Sequence, residues 1–191
     1  MMEFNKVINN RHSIREFEKK KVPKKILKKL VQDASKAPSA CNSQPWEFKI
    51  VSSEEIIEKI SKMLRKSLVL YKKDFKKLSP KLQEVANKFY FDLGGCQNII
   101  FVYMPKELKN RDSNLASVSC ACQNLMLSAT SNNLGSCWFG SLKGYEKEIN
   151  KILKVKNKEM VVGLLIGYPK KNYKPLIREK KKLNEILKFI K

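Results

Sequence analysis

Two short segments near the N-terminus hold the side chains best suited to chemistry. The first is Arg11-His12-Ser13-Ile14-Arg15-Glu16-Phe17. Arginine grips a phosphate through two parallel hydrogen bonds, serine adds a neutral donor, and histidine adds a second basic group. Taken singly, the pattern also fits an ordinary basic surface turn. The second is Ala37-Pro38-Ser39-Ala40-Cys41-Asn42-Ser43-Gln44-Pro45-Trp46. Pro38, Asn42 and Pro45 forbid a continuous helix and demand a defined, exposed loop. Ser39, Asn42 and Gln44 offer the amide and hydroxyl groups that meet the edge of a heteroaromatic ring.

Other residue types point away from other chemistries. The cysteines are Cys41, Cys96, Cys120, Cys122 and Cys137, with no CxxC pair, and His12 is the sole histidine. This argues against a metal site and against a Cys–His nucleophile, and it fits reduced thiols in the cytoplasm. The net charge is +22. Its lysines are scattered over predicted helix faces and are not interleaved with aromatics, so the pattern does not favour a nucleic-acid surface. It would still draw in anionic nucleotides at low salt. The longest apolar run, Met160 to Ile166, is too short for a bilayer, which needs about 20 residues, and the first residues lack the apolar core of a signal peptide.

The elements that must position these segments can be read from periodicity. At 191 residues and 42% hydrophobic, the chain fits one domain spanning residues 1–191. Helices are expected over 3–10, with Phe4, Val7 and Ile8 on one face, and from Pro23 through Ala34. Ser53 opens another, and the stretch 65–92 is expected to be helical after Pro80. Strands are expected over 46–51, 98–103 and 160–167, with a short extended run over 136–139. Asn114 to Asn132 reads as one long apolar helix, stopped by glycine at Leu134-Gly135. Residues 145–153 form a small helix. The result is an α+β fold, a central mixed or antiparallel sheet flanked by helices.

The two N-terminal segments resemble the signature of the nitroreductase family. Arg11-His12-Ser13-x-Arg15-x-Phe17 is similar to its R-[RH]-S-x-[RK]-x-[FY] pattern, and residues 37–46 are similar to its A-P-S-x-x-N-x-Q-P-W pattern. Cys122 to Ala129, followed by Asn133 to Gly140, resembles its long interface helix and the loop after it. Gly163 to Pro169 resembles its last core strand with a G-Y-P ending. The resemblance implies a homodimer that binds FMN at its interface. It implies that Arg11, His12 and Ser13 contact the FMN phosphate and ribityl chain, and that Arg15 lies near the pyrimidine end and stabilises the reduced ring. Pro38, Ser39, Ala40 and Asn42 would reach the same flavin from the partner chain. Trp138, Phe139 and Gly140 would lie beside its central ring.

The resemblance further implies NADH or NADPH as a transient electron donor. Since the chain has no G-x-G-x-x-G and no P-loop, the nicotinamide would bind over the flavin. The oxidants implied are small flat electron-poor compounds, nitroaromatics or quinones, in a ping-pong cycle. Dehalogenation, flavin fragmentation and FMN storage use the same fold, and a basic nucleic-acid-binding protein is the reading from another class. Two places depart from the family pattern. Arg178, Lys180 and Lys181 all compete to complete the phosphate site, and spacing does not decide among them. Residues 66–73 give no clear counterpart to the family's flavin-edge residue, with Lys72 and Lys73 the nearest candidates.

Overall fold

Alternation along the apolar strands decides which helices cover which face of the sheet. The computed structural model describes residues 3–76, 79–107, 109–176 and 179–190. In chain order the elements are α1 (Phe4–Asn10), α2 (Lys24–Ala34), β1 (Glu47–Val51), α3 (Glu54–Phe75), α4 (Pro80–Asp92) and β2 (Asn98–Pro105). They continue with α5 (Arg111–Ser131), β3 (Gly135–Phe139), α6 (Glu146–Leu153), β4 (Lys158–Gly167) and α7 (Leu183–Ile186). The strands lie in the order β1-β2-β4-β3, each pair antiparallel.

The even positions of β2, Ile100, Val102 and Met104, join Leu164 and Ile166 of β4 in a core with α2 and α5. The odd positions, Ile99, Phe101 and Tyr103, pack on the opposite face against Ile60 and Leu64 of α3, Phe89 of α4 and Ile149 of α6. A register shift between Val102 and Tyr103 inserts Val161 as an extra residue of β4. Both Val161 and Val162 therefore turn to the α2–α5 core, as a β-bulge requires. Helices on both faces of one antiparallel sheet make the α+β architecture expected from the sequence.

Local chemistry explains several element boundaries. Pro23 precedes α2, whose Leu27, Leu30 and Ala34 are buried at helical spacing. Ser53 caps α3: its hydroxyl accepts from the Ile56 N–H (3.4 Å). The stretch 65–92 holds two helices, because α3 runs on to Phe75 before α4 begins at Pro80. The expected helix over 145–153 is preceded by a 3-10 run from Gly140 to Tyr145. On α1 only Val7 is buried, while Phe4 and Ile8 face outward.

One expectation is corrected. The long helix is stopped by Asn133, which takes the left-handed conformation (φ 57) while the Leu134 N–H donates to the Ala129 carbonyl (2.8 Å). Asparagine accepts this conformation at little cost, so Gly135 is not needed as the stop. Gly135 instead opens β3, where an added Cβ would lie 2.6 Å from the Ile14 side chain. Among the described residues no helix is long and apolar enough to cross a membrane.

Candidate functional site

Three distant glycines shape the bed on which Arg11–Phe17 lies. Gly135 touches Ile14, Gly167 touches the Phe17 ring, and Gly94 (φ 65) meets the Arg15 carbonyl. The segment is extended and bonded on both sides. Ser13 bridges Ser136 in parallel, and the Ile14 N–H donates to the Ser136 carbonyl (2.9 Å). The Phe17 N–H donates to the Gly94 carbonyl (2.7 Å), and the Glu18 N–H to the Tyr168 carbonyl (2.9 Å). Ile14 and Phe17 point into the core, which leaves Arg11, His12, Ser13 and Arg15 half-buried. Among the described residues, neither the Arg11 guanidinium nor the His12 imidazole has a hydrogen-bond or ion-pair partner. Such pre-placed donors suit an anion.

Beside this segment is a cleft of about 340 Å³. Its floor comes from β3 and the turn after it, Cys137 to Ser141, and Arg15 borders it. Helix α4 forms a wall through Leu82, Val85, Ala86, Phe89 and Tyr90, one apolar stripe at helical spacing. The Phe89 and Tyr90 rings pack edge to face on Phe139, with centroids 4.9 and 5.3 Å away. The Tyr90 and Ser141 hydroxyls are bonded to each other. Arg15 is the only charged side chain in the described lining. Burial pushes the Cys137 thiol up to about 11, opposed by the Arg15 charge, so the thiol is neutral at ordinary pH.

The structure thus brings Arg15, Trp138, Phe139 and Gly140 to one cleft. It joins Ser13 to the strand that floors that cleft. It places Pro38, Ser39, Ala40 and Asn42 elsewhere on this chain, in a loop whose Pro38, Ala40 and Asn42 are exposed. Cys41, Asn42 and Gln44 all have positive φ (50, 54 and 43), an unusual density of left-handed residues. The loop is held from within: the Gln44 N–H donates to the Ser39 hydroxyl (3.1 Å), and Gln44 Nε2 to Asn42 Oδ1 (3.1 Å). It is anchored to α5, where the Ala40 N–H donates to the Ser117 hydroxyl (3.2 Å). Lys180 and Lys181 are exposed and have no bond to the Arg11–Arg15 segment among the described residues. Arg178, and the side chains of Lys72 and Lys73, lie outside the described residues.

Sequence reasoning missed Tyr173, whose hydroxyl meets the backbone of Ser13 and Arg15. It also missed the α4 wall, although the spacing of Leu82, Val85, Ala86, Phe89 and Tyr90 was a readable signal. An aromatic-walled cleft bordered by Arg15, on the same segment as Arg11 and His12, which have no partner among the described residues, suits an anionic, flat-ringed molecule. Cleft and cations match FMN in kind: a ring-lined slot and phosphate-type donors that are free among the described residues.

The model of the nitroreductase family matches residues 8–168. The "Putative NAD(P)H nitroreductase YfhC" of Bacillus subtilis is 28% identical over 170 residues, covering 85% of this chain and 82% of that protein. The iodotyrosine deiodinase of Hydra vulgaris is 23% identical over 190 residues, covering 94% of this chain and 70% of that protein. The fold is similar to the FMN-dependent nitroreductase NfnB of Mycobacterium smegmatis, solved in complex with NADPH. The TM-score is 0.79 at 19% identity, covering 98% of this chain and 97% of that one. The chain belongs to the nitroreductase family, and it is an oxidoreductase.

Proposed function

We propose that this protein is an FMN-dependent oxidoreductase that takes hydride from NADH or NADPH and reduces nitroaromatics, quinones or similar flat electron-poor compounds by a ping-pong cycle. The observation that carries this reading is the cleft bordered by Arg15 and walled by Phe89, Tyr90 and Phe139, on the segment that also carries Arg11 and His12, both without a partner among the described residues. FMN, when bound, supplies the two-electron hydride chemistry. The chain's own residues bind and orient. Arg11, His12 and Ser13 hold the phosphate and ribityl chain. The backbone of Trp138, Phe139 and Gly140 lies beside the ring. Arg15 brings the positive charge of a guanidinium to the pyrimidine end. Arg178, Lys180 or Lys181 completes the phosphate site. The aromatic and apolar walls exclude water and accept a flat ring by stacking.

The working form is a homodimer in the cytoplasm, in which Pro38, Ser39, Ala40 and Asn42 close over the flavin of the other copy. The outward, internally braced loop supports this. So does its anchor on α5, the expected interface helix. The match to a deiodinase supports a second reading, reductive dehalogenation on the same cofactor. The described lining favours the first: with Arg15 given to the flavin, it offers no charged side chain for the carboxylate or the ammonium of an amino-acid substrate.

The test is a visible spectrum of the purified protein, then anaerobic addition of NADH and of NADPH. A yellow protein bleached by either nucleotide and recoloured by a quinone is the expected result. A colourless protein that takes up no FMN overturns the proposal. Salt-sensitive binding of DNA or RNA by such a preparation would point to the nucleic-acid reading instead.

A further inference from the structure

The extended segment that carries Arg15 is bonded to β3 and to residues 94, 168 and 170 through its backbone. The Ile14, Phe17 and Glu18 N–H groups and the Glu16 carbonyl are all taken by the backbone. The Arg15 N–H and the Ser13 carbonyl are instead both met by one side chain. The Tyr173 hydroxyl accepts from the Arg15 N–H (3.2 Å) and lies 3.4 Å from the Ser13 carbonyl, to which it donates. The same Ser13 carbonyl also accepts from Arg15 Nη1 (3.3 Å). One phenol therefore fixes the Arg15 backbone and shares the acceptor that curls its guanidinium.

Tyr173 is aimed at this spot by its own turn. Its N–H donates to the Lys170 carbonyl (2.9 Å) across a bend in which Asn172 is left-handed (φ 62). The Lys170 N–H donates in turn to the Glu16 carbonyl (3.0 Å), so the strap over 168–173 is tied to the segment at both ends. The Tyr173 ring packs against the α3–α4 core.

We propose that Tyr173 is a positioning residue, whose hydroxyl sets the Ser13–Arg15 backbone and through it the Arg15 guanidinium at the cleft. The inference rests on the reading that this cleft holds FMN. Only a hydroxyl can donate and accept at one atom here, and phenylalanine preserves the ring packing while removing both bonds.

The test is a double-mutant cycle on FMN affinity, read by quenching of flavin fluorescence, with Tyr173→Phe, Arg15→Ala and the double variant. Tyr173→Phe should weaken FMN binding about three- to ten-fold, the loss of one or two neutral hydrogen bonds. In the Arg15→Ala background the same change should have no further effect, which a merely structural role would not produce. Amide hydrogen exchange at Arg15, measured without flavin, should speed up in Tyr173→Phe and not at core strand β2. Unchanged FMN affinity in Tyr173→Phe, or effects that multiply in the double variant, would overturn the proposal while leaving the cofactor reading intact. A wild-type protein that binds no FMN would overturn that reading and the proposal with it.

Discussion

Glu159 shows how much a single side chain can decide. Its carboxylate accepts from Arg111 Nε (3.1 Å) and Nη2 (2.8 Å) and from the Lys143 ammonium (2.8 Å). It ties the start of α5 and the turn after β3 to β4. The Arg111 bonds first, then Lys143, hold its pKa down to about 2 from 4.5. A depressed acid stabilises the fold above its unfolded pKa and loses that contribution as pH falls through the folded one. Glu159→Gln should therefore cost about 1–3 kcal/mol at neutral pH. In thermal melts across pH, the gap from wild type should narrow as pH drops from 4.5 toward 2.

The thiols separate cleanly at the same scale. Burial pushes Cys96 and Cys122 up to about 12 and Cys137 up to about 11, whereas Cys41 and Cys120 are exposed. At pH 8 a disulfide reagent should reach Cys96, Cys122 and Cys137 only after denaturation. Rapid reaction of Cys137 would show that the cleft floor is open.

At the scale of elements, glycines set where the 14–17 segment lies. Gly94 combines a positive φ with direct contact against the Arg15 backbone, where a side chain has no flexible neighbour to displace. Gly94→Ala should destabilise by about 1–3 kcal/mol through strain and displacement of the 14–17 segment, and should weaken flavin binding as well. Gly144, with open space around its Cβ position, is the control: Gly144→Ala should leave both unchanged. The sequence pattern exposed the helices and strands because their burial follows period 3.6 or 2. It did not expose the role of Gly135, because helix stop and close approach both call for glycine. The contact with Ile14 exists only once residues 14 and 135 are folded together.

At the scale of the whole molecule, the proposed site is shared between two copies. Arg11→Ala and Asn42→Ala should each lower FMN occupancy strongly as pure homodimers, Arg11 by roughly ten-fold or more in affinity for a lost charge-assisted bond. Mixed dimers of the two variants hold one doubly damaged site and one intact site. Titration of the mixture should recover high-affinity FMN binding at about half of the sites in mixed dimers. No recovery would remove the 39–42 loop from the partner's site. The net charge of +22 belongs to the same scale. The KM for NADPH should rise with ionic strength, since screening shortens to about 10 Å near 0.1 M salt.

The amino-acid order alone determined the family segments at 11–17 and 37–46, the apolar strands over 98–103 and 160–167, and the long apolar helix, because each is written in neighbouring residues or in a short period. Tertiary structure alone decided that Arg15 borders a cleft with α4, that Gly94, Gly135 and Gly167 cradle one segment, and that Tyr173 bonds Ser13 and Arg15 across a separation of 158 residues or more. Hydrogen bonds and van der Waals contacts act over a few ångströms of space. Residues distant along the chain acquire such roles only where packing brings them together.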